Sequence, residues 1–298
     1  MAVSKLKLNN GFEIPAFGLG TYAGKEIKDV IKLSIDLGYR LIDTAFVYAN
    51  EKEIGEGIAE KIKDGTVKRE DLFIVTKLWN TRHKPEDVVP AMKRSLSSLG
   101  LDYVDLYLMH WPFATELPTD EFKIFENIAE EDIPFEDTWK EMEKCVKLGY
   151  TRSIGLSNFN SVQVDRILKI SEIKPVVNQV ECNPYLSQEK LKQFCQERGI
   201  LLMAYSPFYA PSREIPSDKD LNLFEEPLIK EIAGKYEKTT GQVILRYLTQ
   251  SGVIPIPKSD NPERLKQNIS IFDFTLTAED FEKMRSINKN IRCTQYEA

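Results

Sequence analysis

The chain has 298 residues, 42% of them hydrophobic and 29% charged, with 46 acidic against 40 basic side chains and a net charge of −6. That length and apolar content exclude a disordered chain and support either one large α/β barrel or two smaller domains. The acidic balance gives no field that would attract nucleic acid or an anionic membrane, and no uninterrupted apolar run approaches the roughly 18 residues of a spanning helix.

The first residues, MAVSKLKLNNG, lack the apolar stretch of a signal peptide, so a cytoplasmic location is expected. LKLNNGFEI then reads as two short strands around Asn10-Gly11, a hairpin signal. Eight β-rich runs follow: AFGLGT (16–21), RLIDTA (40–45), LFIVTK (72–77), VDLYLMH (104–110), SIGLSN (153–158), VVNQVE (176–181), LLMAYS (201–206) and VIPIPK (253–258). Helical stretches separate them. KEIKDVIKLSIDLG places Ile27, Val30, Ile31, Ser34 and Ile35 at helical spacing and stops at Gly38. EKEIGEGIAEKIKDG, PEDVVPAMKRSLSSLG and DTWKEMEKCVKLG end in glycine in the same way, and Pro85 suits a first helical turn.

Alternating strand and helix implies a parallel sheet with right-handed crossovers. Eight such units predict a (β/α)8 TIM barrel, a single domain over 1–298, with the N-terminal hairpin ahead of it and a long loop after strand four. A doubly wound dinucleotide fold competes with it. GLGTYA (18–23) matches G-x-G-x-x-A, and Asp43 ends the next strand near the required spacing. The motif is short, Pro15 interrupts the strand before it, and the eightfold count favours the barrel.

The strands end on polar residues: Asp43, Lys77, His110, Ser157-Asn158, Gln179 to Glu181, Tyr205-Ser206 and Lys258-Ser259. One polar end means little, since loops favour polar residues. The series means more, because a barrel gathers its catalytic groups at the C-terminal ends of its strands. His110 is one of only two histidines, and it closes the apolar run DLYLMH. Alone it reads as a core histidine. In the barrel frame it shares a mouth with Asp43, Lys77 and Tyr48. Cys145, Cys182, Cys195 and Cys293 show no C-x-x-C spacing and form no cluster with His83 or His110, so free thiols and no metal site are expected.

GFEIPAFGLGTY, DTAFVYANEKEIGEGI, VTKLWN, LDYVDLYLMHWP, IGLSNFN, NQVECNPY, AYSPF and IPIPKSDNPERLKQN together resemble the aldo-keto reductase superfamily, in its order and spacing, over nearly the whole chain. TTGQVILRYL, and IPIPKS followed by FDFTLTAEDFEKM, are most like the insect branch that includes 3-dehydroecdysone reductases. The resemblance implies hydride transfer from NADPH to an aldehyde or ketone. A carbonyl accepting hydride needs a proton donor at its oxygen. Tyr48 fits as that donor, with Lys77 lowering its pKa, Asp43 holding Lys77 and His110 orienting the carbonyl.

The same resemblance implies a cofactor site. Tyr205 would stack on nicotinamide, with Ser157, Asn158 and Gln179 on its carboxamide. Gly20, Thr21, Tyr22, Asp43 and Ser206 would line it. KSDNPERLKQN would start a helix capped by Asn261. Lys258, Ser259 and Arg264 would meet the 2′-phosphate, and Gln267 and Asn268 the adenine. Asp260 departs from relatives that often carry an apolar residue there; facing the phosphate it would lower affinity, and pointing outward it would be neutral.

For substrate, Tyr22, Tyr48, Trp79, His110, Trp111 and Phe208 form the expected pocket. The loop PFATELPTDEFKIFENIAEEDIPF beside it carries Glu116, Asp120, Glu121, Glu126, Glu130, Glu131 and Asp132 against Lys123, interspersed with Phe113, Phe122 and Phe125. The sequence stops at Ala298, short of the usual family tail, so either a more open pocket or a sequence lacking further C-terminal residues is expected. The leading expectation is therefore a cytoplasmic, monomeric NADPH-dependent reductase of neutral apolar carbonyls, with no nucleic-acid or membrane partner. A non-catalytic reductase-fold protein, structural or cofactor-sensing, is the alternative.

Overall fold

The computed structural model describes residues 3–116, 129–209 and 221–293. Two antiparallel strands, β1 (Lys5–Lys7) and β2 (Glu13–Pro15), form the expected hairpin with Leu6 opposite Ile14. Eight parallel strands follow in chain order: β3 (Leu19–Gly20), β4 (Leu41–Asp43), β5 (Phe73–Leu78), β6 (Leu106–Met109), then β9 (Ile154–Ser157), β10 (Val177–Glu181), β11 (Leu201–Tyr205) and β12 (Val253–Pro255). Between β6 and β9, β7 (Ala114–Thr115) and β8 (Glu130–Glu131) pair antiparallel at the base of the long loop. Residues 117–128, which include Asp120, Glu121, Phe122, Lys123, Phe125 and Glu126, lie outside the described residues.

The helices are α1 (Ile27–Asp36), α2 (Glu51–Lys63), α3 (Pro85–Leu99), α4 (Phe135–Lys147), α5 (Ser161–Ile170), α6 (Glu189–Gln196), α7 (Pro227–Tyr236), α8 (Thr240–Gln250), α9 (Pro262–Ile269) and α10 (Ala278–Ser286). Gly100 ends α3 in the left-handed region, at φ 63°, as its place in the sequence suggested.

Each strand pairs with the next barrel strand, and the ring closes between β3 and the end of β12. Gly18 and Gly20 donate their N–H groups to the Pro255 and Pro257 carbonyls, both at 3.1 Å. This closure explains the glycines that mimic a dinucleotide motif. A Cβ on Gly20 would stand 2.6 Å from the Ile256 carbonyl oxygen, so the two strands can approach only without one. The glycines serve the barrel, and the doubly wound reading is set aside.

Strand alternation sorts the side chains into two layers. Leu41, Phe73, Val75, Leu106, Leu108, Val177, Met203 and Ile254 pack inside the barrel, where Leu6, Leu8 and Ile14 of the hairpin join them. Ile42, Ile74, Tyr107, Met109, Leu156, Val180, Leu202 and Ala204 face outward and pack with the helices. Asn9 and Asn10 of the hairpin bond to Pro175 and Ser153, just before β10 and β9, so the hairpin plugs the N-terminal end. The opposite mouth carries the polar strand ends.

Candidate active site

The inward period of two delivers the polar groups to one place. In β4, Leu41 faces in, Ile42 out and Asp43 in; in β5, Phe73 and Val75 precede an inward Lys77. Past Leu106 and Leu108 the same step reaches His110, and it reaches Gln179 in β10 and Tyr205 in β11.

Asp43 and Lys77 are buried, and the Lys77 ammonium is fully tied. It donates to Asp43 Oδ1 at 2.6 Å, to the Thr44 carbonyl at 2.9 Å and to the Tyr48 hydroxyl oxygen at 3.3 Å. Gln179 Nε2 donates to the other Asp43 oxygen at 2.7 Å. Burial pushes the Asp43 carboxyl up and the Lys77 ammonium down, and their contact opposes both shifts. Such a pair survives in a dry interior because both partners are hydrogen-bonded.

A one-turn 3-10 helix, Phe46–Tyr48, carries Tyr48 over this pair, and Ala49 closes it in the left-handed region at φ 55°. Tyr48 is half-buried with its hydroxyl turned onto Lys77, whose ammonium also lies 4.9 Å from the ring centre. The expected lowering of the Tyr48 pKa by Lys77 is not what the site produces. Burial comes first, then the Asp43 charge, and together they hold the phenol well above its usual value. Tyr48 is thus a protonated group at neutral pH.

His110 packs edge-on against Tyr48 at 5.8 Å and Trp79 at 5.1 Å. It is buried, its Nδ1 has no partner among the described residues, and burial followed by the Lys77 charge holds it neutral. Tyr22 is exposed and packs its edge on Tyr48 at 5.1 Å. Trp111 stacks near Phe113 and belongs with Tyr48 and Trp79 in one small aromatic cluster. Phe208 does not join them. The Tyr209 N–H bonds back to the Ser206 carbonyl, and the turn directs Phe208 onto Phe224 at 5.2 Å, in the helix layer. It packs with Phe224 rather than within the Tyr48, Trp79 and Trp111 cluster.

Beside the four lies a polar shelf. Ser157 is buried, and the Tyr205 hydroxyl donates to Asn158 Oδ1 at 2.8 Å. The Asn158 amide donates to the His110 carbonyl at 2.9 Å and to Ser157 Oγ at 3.2 Å. Asn158 and Gln179 therefore spend amide protons on the protein itself, and contact with a carboxamide would exchange them. Asn158 and Ser206 adopt left-handed backbone, at φ 65° and 47°, at the strand ends. Tyr205 and Asn158 open on a groove of about 1620 Å³ shared with Trp111 and reaching Asn288 and Arg292.

At the close of the ring, Asn261 caps α9 as expected, its Oδ1 accepting the Arg264 N–H at 3.0 Å. Lys258 and Arg264 are exposed there, while Ser259 and Asn268 are buried and Gln267 bonds Glu263 at 3.2 Å.

Two residues escaped the sequence reading. Thr44 supplies a carbonyl to Lys77, and its hydroxyl donates to Asn50 Oδ1 at 2.8 Å. The Asn50 amide donates to the Thr21 carbonyl at 2.9 Å, and the Thr21 hydroxyl donates to the Asp43 carbonyl at 2.9 Å. Thr21 is thus a strut behind Asp43. The only signal for Thr44 and Asn50 was their place beside Asp43 and Tyr48.

A model of the Aldo/keto reductase family matches residues 16–289. Aldo-keto reductase family 1 member A1 of Gallus gallus is 47% identical over 290 residues, 96% of this chain and 89% of its own length. Aldo-keto reductase AKR2E4 of Bombyx mori is 44% identical over 295 residues, 96% of this chain and 93% of its own, so the insect branch is present beside a vertebrate relative of similar likeness. The crystal structure of Bombyx mori AKR2E4 in complex with NADP superposes with a TM-score of 0.92 at 43% identity, covering 99% of this chain and 96% of that one. A barrel whose strand ends bring Asp43, Tyr48, Lys77 and His110 together, matched by relatives over nearly its full length, places this oxidoreductase chain in the aldo/keto reductase family.

Proposed function

We propose that this single-domain chain reduces neutral, largely apolar aldehydes or ketones to alcohols with NADPH, Tyr48 donating the proton. The observation that carries this reading is the Lys77 nitrogen, which bonds both Asp43 and the Tyr48 hydroxyl at the barrel mouth. Its ammonium occupies an acceptor position on the phenol oxygen, so the hydroxyl proton is left for another acceptor, such as a substrate carbonyl oxygen. As that oxygen gains charge the proton passes to it, and Lys77 stabilises the phenolate left behind. Asp43, fixed by Gln179 and the Thr21 strut, keeps Lys77 charged and in place. The neutral His110 ring lies edge-on to Tyr48 at 5.8 Å, close enough to help orient the carbonyl.

The cofactor, when bound, supplies the hydride. The residues present fit it. The half-buried Tyr205 ring offers a flat face, Ser157, Asn158 and Gln179 offer carboxamide partners, and Gly20, Thr21, Tyr22 and Ser206 border the same mouth. Lys258, Ser259 and Arg264 at the start of α9 suit the 2′-phosphate, with Gln267 and Asn268 toward the adenine. The Bombyx mori relative was crystallised in complex with NADP, which supports the cofactor class.

Trp79, Trp111 and Tyr22 support an apolar substrate. Of the acidic loop's described residues, Glu116, Glu130 and Asp132 are exposed, while Glu131 is paired with Lys84 at 2.8 Å. The proposal also takes the protein as a cytoplasmic monomer; light scattering of the purified chain tests the oligomeric state and fractionation of cells the location. A panel of bulky apolar ketones, long-chain aldehydes, glucose and glucuronate, followed by NADPH consumption at low and physiological salt, tests specificity. Higher kcat/KM for the apolar carbonyls is expected, and a preference for the sugar acid at both salt concentrations would contradict it.

A further inference from the structure

Lys258, the cation placed for a 2′-phosphate, already holds an anion. Its Nζ donates to Asp260 Oδ2 at 2.6 Å, with the two side chains 37% and 28% exposed. Ring closure fixes where this happens, because Lys258 bridges to Gly20 in parallel register. The turn that follows is also fixed. The Asn261 N–H donates to Ser259 Oγ at 3.2 Å, and Asn261 caps α9. Asp260 lies between these two anchors. Its second oxygen faces the loop after β3, where a Cβ on Gly24 would lie 3.6 Å away. One carboxylate thus stands at the helix start and on the lysine where a phosphate would dock. The neighbouring charges on α9 are Glu263, which accepts from Gln267, and the exposed Arg264 and Lys266.

We propose that Asp260 competes with the cofactor 2′-phosphate for Lys258 and so sets how strongly the protein discriminates NADP from NAD. The proposal rests on the cofactor reading above. A phosphate monoester carries about −1.5 to −2 charges near neutral pH against −1 for a carboxylate, so it displaces Asp260 from Lys258 when it binds. The partly exposed ion pair is a modest contact, and breaking it, with the carboxylate kept near the incoming phosphate, lowers NADP affinity by about three- to tenfold. An unphosphorylated dinucleotide leaves the pair intact and does not pay this cost. Asp260 is a positioning residue that acts through Lys258.

Calorimetric titration of the whole protein with NADP+ and with NAD+ separates the possibilities, using wild type, D260N, D260A, K258M and the K258M/D260N double variant. Both Asp260 variants should bind NADP+ about three- to tenfold more tightly and change NAD+ by less than about twofold. In the K258M background the D260N gain should fall below about twofold, since the contested cation is gone. Unchanged or weakened NADP+ binding in D260N and D260A overturns the proposal, as does an equal gain for NAD+ or an undiminished gain without Lys258. Failure of the cofactor reading looks different: wild type binds NADP+ and NAD+ alike and K258M changes neither, which removes the role of Asp260 as well.

Discussion

The Lys77 ammonium donates to the Tyr48 hydroxyl oxygen at 3.3 Å while gripping Asp43 at 2.6 Å. One nitrogen thereby joins a buried carboxylate to a half-buried phenol, and the phenol keeps its proton because burial and then the Asp43 charge hold it well above its usual value. The arrangement is that of an acid held ready beside the cation that would stabilise its conjugate base.

Breaking the buried pair should be costly and non-additive. Among the described residues, Lys77→Met leaves the Asp43 carboxylate with only the Gln179 amide on its side-chain oxygens. A loss of about 3–5 kcal/mol in unfolding free energy is expected in urea. Adding Asp43→Asn removes the stranded charge, so the double variant should regain part of that stability while remaining inactive. Simple addition of the two single losses would show that the groups do not act as a pair.

Arg264 is exposed at the start of α9, with only its backbone N–H engaged by the Asn261 cap among the bonds described. Arg264→Ala should weaken NADPH about tenfold or more and NADH by less than about twofold, on the usual worth of charge-assisted bonds to phosphate. Fluorescence titration with both cofactors measures this. Equal losses would take Arg264 off the 2′-phosphate.

His83 gives a pH signature. It is 1% exposed, neither ring nitrogen has a partner among the described residues, and burial lowers its pKa to about 3. The folded pKa lies below the unfolded value of about 6.5, so the unfolded chain binds more protons between them. The stability this group contributes is present above pH 6.5 and lost as pH falls toward 3, by up to about 1.4 kcal/mol per pH unit. His110 shifts in the same direction, whereas the raised carboxyls of Asp43, Glu51 and Asp105 oppose it, so the comparison with a variant is what isolates His83. In urea titrations from pH 6 to pH 4, wild type should lose about 1–1.4 kcal/mol per pH unit relative to His83→Leu. Parallel stability curves would show that His83 charges freely in the folded protein.

The barrel was legible because short β-rich runs recur eight times and several of the helices between them stop on glycine, both local properties. Asp43, Lys77 and His110 were legible because each puts a polar group at the end of an apolar run. What could not be read depended on partners far apart in sequence. Gln179 reaches Asp43 across 136 positions, and Asn158 ties Tyr205 to the His110 carbonyl rather than standing free. Thr21 and Gly20, expected beside the cofactor, also brace Asp43 and close the ring, roles that depend on distant partners. Phe208 shares the aromatic character of Trp79 and Trp111, but the turn at Ser206 carries it to another layer. The direction of the Tyr48 shift was missed because proximity to a cation is visible in a sequence motif and the depth of burial is not.

Tyr48→Phe tests the central claim most directly, since it removes one oxygen and keeps the ring packed on Tyr22 and His110. Turnover with a good carbonyl substrate should fall by about 10²–10⁴, while thermal stability and NADPH affinity stay near wild type. A variant that folds, binds NADPH and turns over within a few-fold of wild type would show that the proton comes from elsewhere.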